Sequence, residues 1–344
     1  MRVVTGAQPR ADHAAVRGKL QAGQRDAMPD VRTGHLARCL CGGRRFDLAW
    51  TYETPPEGET RFPRLDGRYH REVWRCTACG HFLIDPGVDL DELYSGDYAE
   101  ATYGDRMRET FNRIIDLPPE RSDNHGRVRR ITGFAKNWLW AHDAEHRRPR
   151  ALDVGSGLGV FPWALASEGW NVTALDPDPR QAELARTLAC VPTVCADFMT
   201  ADGLGKFDVI TLNKVLEHVP DPVMMLTRTT SLLEPGGFVY LEVPDGEGAA
   251  EDGPGREEFF IEHLHAFSLT SVGLMIASSG LAALRVERLR EPSGKYTIIA
   301  FCGMPELPNR QEERRALRVL VHERHDAAAA AWLELDEPSR EPRD

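Results

Sequence analysis

Two short segments of the sequence place glutamate beside histidine, and these side chains suit proton transfer near neutral pH. Glu217 and His218 lie in VLEHVPDP, and Glu262, His263 and His265 lie in FFIEHLHAFS. Because imidazole titrates near neutrality, it can take a proton from a hydroxyl group or from a carbon next to a carbonyl. We predict catalytic roles for His263, Glu262 and His218. His265 is a predicted substrate contact, and packing is the alternative role of the histidines.

Four of the seven cysteines form two close pairs, in CLCGG and in CTACG. Thiolates in two such turns can close a tetrahedral zinc site that stabilises a small β-rich module without a core of its own. The Cys-x-Cys spacing is unusual, so His35 or His81 is an alternative ligand, and four reduced thiols without metal are the other possibility. Cys190, Cys195 and Cys302 fall in predicted strands and are expected to be core residues. The predicted zinc ligands are Cys39, Cys41, Cys76 and Cys79.

A glycine-rich turn follows a predicted strand in ALDVGSGLGVF. Glycines at 155, 157 and 159 let the main chain approach a ligand without Cβ collisions. A dinucleotide-binding turn has its third glycine one position later, where this chain has Val160, so the spacing argues against a pyrophosphate-binding enzyme. A tight turn with no ligand is the alternative interpretation.

Short apolar runs alternate with amphipathic stretches, and these elements must position the residues described above. The apolar runs are ALDVG, NVTALD, VPTVCAD, FDVITLN, GGFVYLEVP, AALRVERL and YTIIAF. This alternation predicts the α/β class, with a doubly wound, mostly parallel seven-stranded sheet that binds ligands at its carboxyl edge. The last two runs are separated only by EPSGK, which predicts an antiparallel hairpin. Asp176 ends the second run, where a carboxylate can accept hydrogen bonds from a ribose diol. Asp197 follows the third run, in position to meet an adenine amine.

The motifs DVGSGLG, ALDPDP, CADF and FDVITLNKVLEHVPDP, followed by LLEPGGFVYLEVP, resemble those of class I S-adenosylmethionine-dependent methyltransferases. The resemblance covers about residues 125–303 and implies a Rossmann-like fold with S-adenosyl-L-methionine as cofactor. It implies that Asp153 and the glycines face the methionine end of the cofactor and that Asn213 borders the transferable methyl group. It also implies that Asp176 meets the ribose. The implied cofactor-binding residues are Asp153, Gly155, Ser156, Gly157, Gly159, Asp176, Pro177, Asp197, Phe198 and Asn213.

The order CLCGG, VWRCTACG and DELYSGDY before such a core resembles bacterial methyltransferases with a zinc module, including sugar C-methyltransferases. In those enzymes the module and a tyrosine-containing linker help to cover the acceptor site. Tyr94 and Tyr98 are therefore candidate substrate contacts, with packing of the module as the alternative. The resemblance matches Glu262 and His263 to a pair implicated in proton removal, although phenylalanine replaces a tyrosine expected nearby. The glycine-rich DGEGAAEDGPG just before them has the composition of a mobile lid.

Composition divides the chain into five predicted regions. We predict a disordered tail (1–37), a zinc-binding module (38–88), a helical linker covering the active site (89–148), a methyltransferase-like core (149–303) and a carboxy-terminal helix and tail (304–344). The net charge is −11, and nine acidic side chains lie between residues 234 and 262, which opposes binding to a phosphate backbone. No apolar run approaches the roughly 18 residues of a membrane span. The cysteine usage without an export signal predicts a cytoplasmic protein.

These features predict base-assisted, in-line transfer of a methyl group from S-adenosylmethionine to oxygen or carbon of a small molecule. A sugar, a glycan precursor or a secondary metabolite is the expected acceptor. An RNA methyltransferase with a zinc module and a non-enzymatic zinc-ribbon interaction protein are the alternatives. The sequence leaves the oligomeric state open.

Overall fold

The computed structural model describes residues 38–60, 69–86, 107–142 and 147–305. The predictions for the amino-terminal tail, for Tyr94 and Tyr98, and for the carboxy-terminal helix lie outside these residues. So do the alternative ligand His35 and the predicted boundary at residue 88.

The described residues form strands and helices that we number in chain order. The strands are β1 (Phe46–Tyr52), β2 (Arg71–Cys76), β3 (Phe82–Asp85), β4 (Arg150–Val154), β5 (Asn171–Asp176), β6 (Thr193–Cys195), β7 (Phe207–Asn213), β8 (Leu233–Pro244), β9 (His265–Ala266), β10 (Ala282–Arg290) and β11 (Tyr296–Gly303). The α-helices are α1 (Met107–Ile115), α2 (Asp123–His142), α3 (Val160–Ser167), α4 (Pro179–Leu184), α5 (Pro222–Thr229), α6 (Gly246–Asp252) and α7 (Leu269–Ser278).

The larger sheet has seven strands within the described ranges, in the order β10-β11-β8-β7-β4-β5-β6. Strands β4 to β8 pair in parallel, whereas β11 is antiparallel to both of its neighbours. The prediction of a doubly wound, mostly parallel seven-stranded sheet ending in a hairpin is therefore confirmed. Strands β10 and β11 pair antiparallel because their connection, residues 291–295, is too short to hold a crossover helix.

Helices cover both faces of this sheet, because alternate residues of each buried strand point in opposite directions. In β7, Ile210 and Leu212 pack on one face with residues of α5 and α7. Val209 packs on the other face with residues of α2 and α3. With both faces covered, the loops at the strand ends are left as the places where side chains can meet a ligand.

The smaller sheet has the order β1-β2-β3-β9 and is antiparallel throughout. Strands β1 to β3 belong to the cysteine-containing module, but β9 comes from the chain segment just after His263. Phe82 of β3 pairs with Ala266, and Leu83 pairs with His265. The module and the core therefore share one sheet.

Two sequence expectations are wrong for reasons of packing. The segment DGEGAAEDGPG does not have the form of a lid: most of it is helix α6, capped by Asp245, which accepts from the N–H groups of Glu247 and Gly248 at 3.2 Å. A Cβ at Gly246 would lie 2.6 Å from the Phe82 ring, so glycine here serves close packing on the module. Of the three cysteines expected in the core, Cys190 and Cys195 are exposed and Cys302 is buried. Cys195 lies on β6 at the edge of the sheet, and Cys190 ends the helical segment before that strand.

Candidate active site

The glycine turn between β4 and α3 has a backbone that only glycine adopts readily. The φ angles at 155, 157 and 159 are +69°, +53° and +79°. A Cβ at Gly155 would lie 2.7 Å from a Val215 methyl group, and one at Gly159 would lie 2.9 Å from the Cα of Ala185. The turn therefore brings the main chain close to the loop after β7 and to the helical segment after β5.

The carboxylate of Asp176 points into this turn. One oxygen accepts from the backbone N–H of Gly157 at 2.8 Å, and the other accepts from that of Asp178 at 2.9 Å. Burial raises the pKa of Asp176. Ser156 links the same two strand ends, because its hydroxyl donates to the Asp153 carbonyl and accepts from the N–H of Leu175. Asp176 and Ser156 thus fix the shape of the turn.

Asp153 lies at the other side of the turn and is 2% exposed. Its Oδ1 accepts from the Thr211 hydroxyl at 2.6 Å and from the Asn213 amide at 2.9 Å. Burial raises the pKa of Asp153 to about 6. The carboxyl end of β4 is therefore joined to that of β7, as the predicted site requires.

Buried acceptor atoms without partners surround the turn. Oδ1 of Asn213 and Oε1 of Gln181 have no hydrogen-bond partner among the described residues. The Gln181 oxygen lies 3.2 Å from the position that a Cβ would take at Gly157. Because an unpaired buried acceptor is costly, these atoms fit a bound ligand that carries hydrogen-bond donors.

Arg127 was not among the predicted site residues. Its guanidinium donates to Glu242 at 2.5 Å, whereas its Nε is buried and unpartnered within the part of the chain that the structure describes. Burial would raise the pKa of Glu242, but Arg127 and Arg130 beside it lower that pKa to about 2. The positive charge of Arg127 lowers the pKa of Asp153, against the effect of burial. The guanidinium of Arg127 therefore lies near the glycine turn. The sequence feature that could have indicated Arg127 is its spacing: it lies four residues before Ile131, which is buried, and therefore on the same face of α2.

The predicted adenine contacts lie after β6. Asp197 is exposed, and its Oδ1 accepts from the N–H of Met199 at 2.8 Å. Phe198 is buried, and the guanidinium carbon of Arg228 lies 5.4 Å from its ring centroid. Pro177 is exposed directly after Asp176. Asp197 can thus offer a side chain to a ligand, whereas Phe198 can offer mainly its backbone.

The Glu-His segments come together in a second cluster. His218 lies in a 3₁₀ turn directly after β7, and its Nδ1 is 2.8 Å from the Glu262 carbonyl. The Nδ1 of His263 is 3.0 Å from the Glu258 carbonyl, and the two imidazole centroids are 5.0 Å apart. A carbonyl only accepts, so the Nδ1 atom of each imidazole is the donor in these contacts.

Burial controls the charge of this cluster. Glu217 is 1% exposed, and its Oε2 has no hydrogen-bond partner in the described ranges. Burial raises the pKa of Glu217 and of Glu262. Burial, reinforced by His218, lowers the pKa of His263 well below its usual value. The His263 imidazole is therefore uncharged at physiological pH. Glu217, His218 and His263 also bring their ligand atoms within 4.8 Å of one another, a set that can hold a divalent cation.

His265 lies apart from this cluster and is buried on β9 of the smaller sheet. Its Nδ1 is 3.0 Å from His81 Nε2, and its Nε2 is 3.1 Å from the Val219 carbonyl. Burial lowers the pKa of His265 to about 4. Because protein groups occupy both ring nitrogens, we leave His265 out of the acceptor site. The second nitrogen of His81 contacts Ser271, so this histidine is not the alternative zinc ligand.

The four paired cysteines converge on one point at the end of β2. Cys39 Sγ is 3.4 Å from Cys79 Sγ, and Cys41 Sγ is 3.7 Å from Cys76 Sγ. All four sulfur atoms lie within 4.8 Å of one another. Thiolates around a tetrahedral zinc, with bonds of about 2.3 Å, are separated by about 3.8 Å. The unusual Cys-x-Cys spacing is therefore compatible with a four-sulfur site.

Comparison with known proteins decides the family. A family model described as a methyltransferase domain matches residues 107–286, just over half of the 344-residue chain. The chain belongs to the S-adenosylmethionine-dependent methyltransferases. This methyltransferase is 37% identical over 108 residues to the ubiquinone biosynthesis O-methyltransferase of Xanthomonas campestris pv. campestris, a match covering 29% of this chain and 45% of that protein.

A second relative is the ubiquinone biosynthesis O-methyltransferase of Erwinia tasmaniensis, 34% identical over 120 residues, with 33% of this chain and 49% of that protein covered. The methyltransferase thus spans less than half the length of the curated relatives it matches.

Solved methyltransferases also resemble it. The magnesium protoporphyrin IX methyltransferase of Synechocystis PCC 6803 with bound SAH is 15% identical, with a TM-score of 0.47 over 62% of this chain and 100% of that chain. The 1,6-didemethyltoxoflavin-N1-methyltransferase of Burkholderia thailandensis is 19% identical, with a TM-score of 0.46 over 72% and 100%. Within its described part, the methyltransferase has no helix whose length and apolarity suffice to cross a bilayer.

Proposed function

We propose that this methyltransferase acts on oxygen or carbon of a small molecule, such as a sugar, a glycan precursor or a secondary metabolite, with His263 as general base. One observation carries the proposal: the Nδ1–H of His263 is tied to a backbone carbonyl, so Nε2 is the nitrogen left to accept a proton. The cluster containing His263 adjoins the loop that begins at Asn213.

The glycine turn is the proposed cofactor site. S-adenosylmethionine, when bound, supplies the electrophilic methyl group. We assign the ribose diol to the Asp176 carboxylate and the methionine end to Asp153 and Asn213, whose unpaired Oδ1 can accept from an ammonium group. The buried Nε of Arg127 adds a donor for the cofactor carboxylate. The glycines with Ser156 shape the turn, and Pro177, Asp197 and Phe198 complete the adenosyl side.

Proton removal is assigned to the Glu-His cluster. Nε2 of His263 would take the proton of the acceptor O–H or C–H group, and the electron pair left on that oxygen or carbon would form the bond to the methyl group. The bond from the methyl group to the cofactor sulfur would break, with its electron pair left on the sulfur. His218 holds the Glu262 backbone beside His263, so it acts as a positioning residue. Glu217 and Glu262 border the base, and each of them, when ionised, would stabilise the imidazolium that forms.

The cysteine cluster is the proposed site of one structural zinc ion, held by Cys39, Cys41, Cys76 and Cys79. The sulfur separations support this proposal. The net charge of −11 supports a small-molecule acceptor over RNA, because a negatively charged protein is repelled by a phosphate backbone.

The acceptor class is tested by measuring S-adenosylhomocysteine release from S-adenosylmethionine. The protein is incubated with a set of nucleotide-linked sugars and other small metabolites, and separately with total transfer and ribosomal RNA. We expect release with the small molecules alone. Release that depends on RNA, with none from small molecules, would contradict the proposal.

Replacing Asp176 with alanine is expected to weaken S-adenosylmethionine binding by about 10- to 100-fold, because hydrogen bonds to a charged group contribute about 1.5–3 kcal/mol. The variant loses both the proposed ribose acceptor and the bonds to the turn. Titration calorimetry measures the change. Asp202→Ala, at an exposed position after β6, is the matched control. Binding within about twofold of the unmodified protein would remove Asp176 from the cofactor site.

A further inference from the structure

An ion pair without solvent contact lies in the cysteine-containing module, away from the cysteines. A guanidinium nitrogen of Arg71 is 3.1 Å from Oε1 of Glu59, and both side chains are 0% exposed. The Tyr69 hydroxyl bridges them: it donates to Glu59 Oε2 at 2.5 Å and accepts from Arg71 Nε at 2.9 Å. Removing two charges from water is costly, so such a pair persists where it satisfies other groups as well.

The groups that this pair satisfies belong to residues 259–263, which we call the base segment because they end at His263. Arg71 donates through Nη1 to the Phe259 carbonyl. The backbone N–H of Ile261 donates to Glu59 Oε1 at 2.7 Å. Arg71 thus donates a hydrogen bond to one backbone carbonyl of the base segment, and Glu59 accepts one from a backbone N–H two residues later.

Neighbouring aromatic residues of the module contact the base segment and the chain just before it. Tyr52 stacks under the Arg71 guanidinium, 3.8 Å from ring centroid to Cζ, and its hydroxyl donates to the Pro254 carbonyl at 2.7 Å. The Trp50 ring packs on Phe259 with centroids 4.7 Å apart. These contacts restrict the chain on the module side.

The core holds the residue before the base segment. Oε1 of Glu258 accepts from the N–H of Tyr296 at 2.6 Å, and its carboxylate also pairs with Arg256. The Glu258 carbonyl is the group that fixes Nδ1 of His263. Two groups therefore orient His263. One is the Glu258 carbonyl, whose residue is bound to the core, and the other is the backbone of the base segment, which is bound to the module.

We propose that Arg71 and Glu59 are positioning residues for His263, so that the module completes the acceptor site instead of only adjoining it. This inference rests on the proposed role of His263 as base. The pair forms hydrogen bonds with backbone groups. It can therefore fix the position of the base segment independently of the side chains in that segment.

The test substitutes Arg71 with lysine in the full chain. Lysine keeps a charge opposite Glu59 but lacks the planar fork that reaches Phe259 and Tyr69 together. Arg75→Lys is the matched control, since Arg75 lies on the same strand with a half-exposed side chain. We expect the Ile261 amide to exchange with deuterium at least tenfold faster in Arg71→Lys than in the control, as read by mass spectrometry with fragmentation. In ¹⁵N spectra of the imidazoles, His263 is expected to change from one tautomer to a mixture.

Ile261 exchange within twofold of the control, together with an unchanged His263 tautomer, overturns the inference. If Arg71→Lys does not fold, Tyr69→Phe decides by the same criteria, because it removes only the bridging hydroxyl; about threefold faster exchange at Ile261 supports the inference. S-adenosylmethionine affinity, measured by calorimetry on the same samples, is expected to stay within twofold. An unmodified protein that fails to bind this cofactor would contradict the proposed function but leave the exchange result intact.

Discussion

Replacing His263 with alanine is expected to lower the turnover number of methyl transfer by about 10²- to 10⁴-fold, the usual contribution of a positioned acid or base. S-adenosylmethionine affinity should stay within about twofold, because His263 lies in the cluster after β7 and not in the glycine turn. Both quantities are measurable once an acceptor is found: turnover from S-adenosylhomocysteine formation, affinity from calorimetry. His70→Ala, an exposed histidine of the module, is the control.

The pH dependence of the unmodified enzyme gives an independent check on this residue. A protonated His263 cannot accept a proton, so kcat/KM falls as the pH drops through its pKa. Since burial and His218 hold the pKa of His263 well below its usual value, we expect the acid limb of kcat/KM to lie below the pH range in which an ordinary histidine titrates. Unchanged turnover in His263→Ala would remove this residue from the mechanism.

The second large effect is expected for Cys79→Ser. The variant should lose its zinc, from about one ion per chain to nearly none, and with it the fold of the module. Apparent binding free energies of structural zinc, about 10–16 kcal/mol in small peptides, match or exceed the stability of a typical domain. Metal analysis by mass spectrometry and thermal unfolding measure the two changes.

Cys195→Ser provides the control for the zinc site, because Cys195 is exposed on edge strand β6, outside the four-sulfur cluster. Full zinc content in Cys79→Ser would contradict the assignment. Two ions per unmodified chain would indicate that Glu217, His218 and His263 hold a metal as well, and would replace the base with a metal-assisted mechanism.

Much of the fold follows from local patterns. The run FDVITLN coincides with β7, because a mostly apolar run of this length, rich in β-branched residues, suits a strand buried on both faces. The hairpin follows from the five-residue connection. The glycine turn follows from glycine spacing, since the positive φ angles are a local backbone property.

Other parts of the site depend on contacts that no local pattern contains. His263 and His265 are two residues apart in similar surroundings, yet the latter lies on β9 and faces His81. Arg127 looks like one of several arginines in a polar helix until α2 packs on the sheet. Glycine at 246 suits a loop in composition, but the space beside Phe82 makes it a packing residue. Burial arises from tertiary structure, so the contacts of these three positions could not be predicted from the sequence alone.

The shared sheet has a consequence for how the protein is synthesised. Strand β3 ends at residue 85, but its partner β9 is translated only about 180 residues later. Until then the ribosome-bound module carries an open strand edge, whose unpaired N–H and C=O groups can recruit strands of other chains. Truncated products that stop before residue 265 should therefore aggregate more readily than the complete chain, even if their cysteines bind zinc.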